Sequence, residues 1–64
     1  MSSVTAELSA LTTAITDLER RVTAIAAGYA GEARDDVLTP LYAAERQLRQ
    51  AARALTTAGR VLGT

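Results

Sequence analysis

Residues 4–29 read VTAELSALTTAITDLERRVTAIAAGY, and this stretch decides the fold. Its apolar side chains recur at alternating intervals of four and three: Val4, Leu8, Leu11, Ile15, Leu18, Val22, Ile25 and Tyr29. Such spacing returns an apolar group to one side of an α-helix at every turn, which a strand, with its period of two, would not do. A helix patterned this way packs its seam against another helix. Gly28 and Gly31 interrupt the pattern. It then resumes as Val37, Leu41, Ala44, Leu48, Ala51, Leu55, Ala58 and Leu62. Two seams with one break predict an all-α fold: an antiparallel, coiled-coil-like two-helix hairpin. The helices are expected over about 3–27 and 36–62, with the turn over about 28–35.

Local signals agree with these bounds. Ser2 and Ser3 are candidate N-caps, since a serine hydroxyl accepts an otherwise orphan backbone N–H. Five threonines in the first helix (Thr5, Thr12, Thr13, Thr16 and Thr23) lower its intrinsic propensity, so packing has to hold it. Glycine at the end of the first seam is the expected stop, by way of a left-handed conformation. Three starts are open to the second helix. Asp35 or Asp36 could cap it; Thr39 could cap it with Pro40 as its first residue; or one helix could run from about Glu32 and kink at Pro40. The early start is preferred because Val37 continues cleanly into Leu41 and Ala44. Gly63 and Thr64 follow the last seam residue.

The second seam alternates Leu with Ala, so Leu41, Leu48, Leu55 and Leu62 stand between Ala44, Ala51 and Ala58. The first helix offers larger residues opposite, and large against small suits an antiparallel pair at a shallow angle. Leu38, Ala52, Ala54 and Val61 widen the apolar face of the second helix and imply a further contact surface. The residues expected to form the association seam are Leu8, Leu11, Ile15, Leu18, Val22, Ile25, Leu41, Leu48, Ala51, Leu55 and Leu62.

Size and composition narrow the function. A chain of 64 residues is marginally stable alone, and with no cysteine and no histidine it has neither a disulfide framework nor a Cys/His zinc site. A partner is the remaining stabiliser. Dimerisation that completes a four-helix bundle is expected, with either a second copy or a paired small helical protein. The net charge is zero, from seven arginines and seven acids, which argues against nucleic acid as a partner. The longest small-and-apolar run, Ala24 to Gly31, is far short of a membrane span. The N-terminal stretch has no basic region and carries Glu7 early. Synthesis in the cytoplasm without a cleavable signal peptide is expected.

Two charged groups stand outside the seams. Arg46, Arg49, Arg53 and Arg60 share a face of the second helix away from the seam and read as a solvated stripe rather than a phosphate site, because no aromatics interleave them. Glu32, Asp35 and Asp36 read as favourable charge near a helix N-terminus rather than as a cation site. With no His, Cys or Lys, nothing in the sequence stands out as a nucleophile–base pair, and no enzyme activity, cofactor or metal is expected.

Tyr29 closes the first seam within Gly28-Tyr29-Ala30-Gly31, where an aromatic ring could cover the open end of the hairpin. An aromatic-x-Gly corner, here Tyr29 and Gly31 about Ala30, followed by YAGEARDDVLTPLYAAERQLRQAARALTTAGRVL, resembles the small WXG-type helical hairpins associated with type VII secretion. The resemblance spans essentially the whole chain. Tyr29 stands where the family carries Trp. No tyrosine followed four positions later by an acid stands after the second helix. The resemblance implies a non-catalytic protein that acts by protein–protein association and is exported with a partner carrying the signal. The alternative is a cytoplasmic oligomerisation or adaptor module with no export role.

Overall fold

The computed structural model describes residues 3–63 and consists of two helices, α1 over Val4–Ala27 and α2 over Asp35–Leu62. They pack along their length as an antiparallel hairpin. The molecule is a rod of 49 × 18 × 12 Å with a radius of gyration of 14.9 Å. A compact chain of this length would have a radius of about 10.7 Å. The thin dimension is a single helix diameter, so every residue lies close to the surface.

α1 begins at Ser3, whose backbone is extended and whose Oγ accepts a hydrogen bond from the Ala6 N–H at 3.0 Å. Ser2, the other candidate cap, lies outside the described residues, as does Thr64. The end of α1 departs from the expected left-handed stop. Gly28 is right-handed (φ −66°), and its N–H is shared between the Ala24 and Ile25 carbonyls. The chain then tightens through three-residue turns, Tyr29 to Ala26, Ala30 to Ala27 and Glu32 to Tyr29. The left-handed residue comes later, at Gly31 with φ +87°, and that is where the chain changes direction.

α2 takes the early start, one residue ahead of the expected bound. Neither Asp35 nor Asp36 caps it. Arg34 is the N-cap, with no side-chain capping bond, and its carbonyl accepts from Val37 and Leu38 at 3.0 Å each. Asp35 and Asp36 instead occupy the first turn, where the helix dipole favours anions. Pro40 lies inside the helix and removes one intrahelical bond. Thr39 is therefore not a cap, and residues 28–33 form the turn rather than a continuation of either helix.

Candidate association surface

The seam that holds the hairpin differs from the apolar run that predicts it. On α1, Leu8, Ile15 and Val22 are half-buried as expected, as is Tyr29 in the turn beyond it, but Leu11, Leu18 and Ile25 are exposed, at 48, 44 and 54%. Val4 is 61% exposed. The inner positions between the half-buried residues belong to Thr12, Glu19 and Ala26, and Ala26 is the one fully buried residue among those described. On α2, Val37, Leu41, Ala44, Leu48, Ala51 and Leu55 are half-buried, as are Leu38, Ala52 and Gly59. Ala58 and Leu62 stay exposed, Leu62 at 57%.

The physical reason lies in helix geometry. Residues on a helix are about 100° apart, so the row Leu11, Leu18, Ile25 lies about 60° to one side of the row Leu8, Ile15, Val22, while Thr12, Glu19 and Ala26 lie about 40° to the other. The leucine row of α2 needs small or adaptable partners. α1 therefore turns its threonine and alanine side inward and leaves its second apolar row outside. The polar residues accept this position because they are satisfied. The Thr12 and Thr16 hydroxyls each donate to a carbonyl one turn back, of Leu8 and Thr12, at 2.9 Å.

The Glu19 carboxylate is satisfied across the hairpin. Arg49 donates to its Oε2 from Nη2 at 3.1 Å and from Nε at 3.3 Å. Arg49 is exposed like the rest of the arginine stripe, but it also reaches across the helix pair. Arg46, Arg53 and Arg60 are exposed. A shallow groove on this side is lined by Thr12, Thr16 and Glu19 of α1 and by Arg49, Arg53 and Thr56 of α2.

A hairpin has two grooves. Since the Glu19–Arg49 side forms one, the opposite sides of both helices flank the other. There α1 presents Val4, Leu11, Leu18 and Ile25. α2 presents the outer edges of Ala44 and Ala51, then Ala54, Ala58 and Val61, the last 67% exposed. This apolar flank runs the length of the rod. The accessible surface is 4765 Å². A folded monomer of 6.7 kDa has about 3,900 Å². The excess of roughly 850 Å² comes from the rod shape, which leaves both flanks of the helix pair open to solvent.

At the corner, Tyr29 is half-buried, with the Arg34 guanidinium 6.0 Å from its ring centroid. The ring leaves Ile25 open, so it covers less of the hairpin end than expected. Arg34 also grips Asp36 through Nε and Nη2, at 3.0 and 3.2 Å. The hydrogen bonds from Arg34 hold the Asp36 carboxyl below its ordinary range. Among the described residues no acidic cluster could hold a metal ion, and no helix is long and apolar enough to cross a membrane. No family model matches this chain, and neither a curated protein nor a solved structure matches it.

Proposed function

We propose that the protein is a non-catalytic helical hairpin that acts by protein–protein association through its apolar flank. The observation that carries this reading is the row of Val4, Leu11, Leu18 and Ile25, all at least 44% exposed on a regular helix. Rows of this length on a small soluble domain mark contact surfaces. The chain has no His, Cys or Lys, which are among the commonest catalytic bases and nucleophiles, and this supports the non-catalytic reading.

The more specific version is a partner-dependent secretion protein of the WXG type. It is supported by the position of Tyr29-Ala30-Gly31 at the hairpin corner, with positive φ at Gly31. The second reading, a cytoplasmic oligomerisation module without export, draws on the same flank. Light scattering at micromolar concentration tests the common core of both. The expected mass is well above the 6.7 kDa of one chain, and a stable monomer with a cooperative melt and no binding partner would overturn it. Recovery of the chain from the medium of an expressing culture, dependent on a co-expressed helical partner, separates export from the cytoplasmic reading.

A further inference from the structure

We propose that the partner on the apolar flank is a second copy of this chain, docked about a two-fold axis that lays α1 antiparallel on the partner's α1, with Glu7 and Arg21 setting the register. This rests on the association reading above and adds to it the identity of the partner and the geometry of the contact.

The exposed row is self-complementary. An axis crossing α1 between Ala14 and Ile15 brings Leu11 opposite the partner's Leu18 and Val4 opposite the partner's Ile25, and each pair occurs twice by symmetry. The residues bordering the row on its outer edge are Glu7, Ala14 and Arg21, each three or four positions from two members of the row. The same axis brings Glu7 opposite the partner's Arg21, since both stand about 10 Å from it along the helix. Both side chains are exposed, and neither enters an ion pair within the described chain. Ala14, at the crossing, leaves room for close approach.

α2 is compatible with the same axis. The Glu19–Arg49 bridge sets the level of one helix against the other. Four residues from Glu19 towards the N-terminus is Ile15, and four from Arg49 towards the C-terminus is Arg53. The nearest residues on the apolar flank at that level are Ala51 and Ala54, which are small enough for the two α2 helices to meet. The competing arrangement lays α1 on the partner's α2. There the outward border positions are Pro40, Gln47, Ala54 and Val61, which carry no charge, so Glu7 and Arg21 would face none.

Sedimentation equilibrium of the whole chain tests the register. Glu7→Arg and Arg21→Glu should each weaken dimerisation about tenfold, because two attractive pairs become repulsive. The double variant should return to within about threefold of the original affinity, since the pairs re-form with reversed sign. Helicity should stay unchanged in Arg21→Glu and fall slightly in the two variants that carry Glu7→Arg, which places a cation in the first turn of α1. Ala14→Cys, the only thiol in such a chain, should be joined to its counterpart by a short thiol crosslinker. Single variants that dimerise normally, or a double variant no better than the singles, would overturn the register while leaving association intact. A wild-type chain that stays monomeric to millimolar concentration would overturn the second copy as partner.

Discussion

On one flank of the hairpin, threonines, Glu19 and three arginines line a groove whose polar groups are largely satisfied from within the chain. On the other, a leucine–isoleucine–valine row lies open beside alanines. Both flanks border the same seam and differ by only a fraction of a helical turn. The difference shows what a heptad does and does not specify. The repeat brings two helices together, yet the seven-residue apolar stripe on α1 is wider than one partner helix can cover. The half that α2 leaves uncovered becomes a surface in its own right. Polar residues with internal hydrogen bonds can take the inner positions at little cost, whereas the exposed leucines gain only by finding a partner.

The largest expected effect comes from placing charge on the open flank. Leu18→Asp should leave the isolated hairpin almost as helical as before, because its side chain is 44% exposed there. An unpaired charge buried in an interface costs about 3–5 kcal/mol, so association should weaken more than a hundredfold. Thr56→Asp on the polar flank should leave association unaltered. Sedimentation of the two variants side by side checks this, and equal effects would abolish the distinction between the flanks.

Inside the seam the effects should be intermediate. Leu48→Ala removes a half-buried side chain from the leucine row of α2. The expected loss is about 2 kcal/mol, at the low end for leucine truncation because the site is only partly enclosed. Ala51 lies between the seam and the open flank. Ala51→Phe should cost about 1–3 kcal/mol by overpacking. Chemical denaturation gives both values. An Ala51→Phe chain of unchanged stability would place Ala51 wholly on the outside.

The hairpin, the helix bounds to within a residue and the aromatic-glycine corner were legible because each depends on local signals: spacing, a serine cap and paired glycines. The choice of flank was not. Leu11 and Leu8 are equally apolar, and nothing in the order of residues says that α1 turns Thr12 and Glu19 towards α2 in place of Leu11 and Leu18. That depends on the fit against the Leu41, Leu48 and Leu55 row and on Arg49 reaching across to Glu19, a bond between residues thirty positions apart. Arg34 as the N-cap was hidden for a related reason. The adjacent aspartates are better caps by type, but Asp36 is held by Arg34 and both acids lie in the first turn.

The corner joins the two flanks without belonging to either, and its effects should be smaller. A Cβ at Gly31 would meet no atom within 4 Å, so Gly31→Ala tests the backbone conformation alone. At φ +87° the expected cost is about 1 kcal/mol. The Arg34–Asp36 pair has a definite pH sign. Its depressed carboxyl stabilises the fold at neutral pH, and that contribution fades as the pH falls through the pKa of Asp36 in the folded chain. Both partners are well exposed, so the loss should be slight. Thermal melts of wild type and Asp36→Asn over acid pH would detect it as a difference present at neutral pH and absent in strong acid.

The smallest effect should come from the polar flank's one cross-helix bond. Arg49 reaches the Glu19 carboxylate at 3.1 Å, but the two side chains are 49 and 22% exposed. Water screens such a pair, and holding a long arginine in place costs rotamer entropy. A double-mutant cycle of Glu19→Gln and Arg49→Gln should therefore give a coupling of about 0.5 kcal/mol, falling towards zero at about 1 M salt. The single changes should differ from each other. Removing Arg49 leaves the more enclosed carboxylate without its donor, while removing the charge of Glu19 leaves an arginine that can turn to solvent. Arg49→Gln should accordingly be the more destabilising of the two. A coupling above about 2 kcal/mol would mean that the polar groove is a structural clamp, and that both flanks rather than one direct how the hairpin is held.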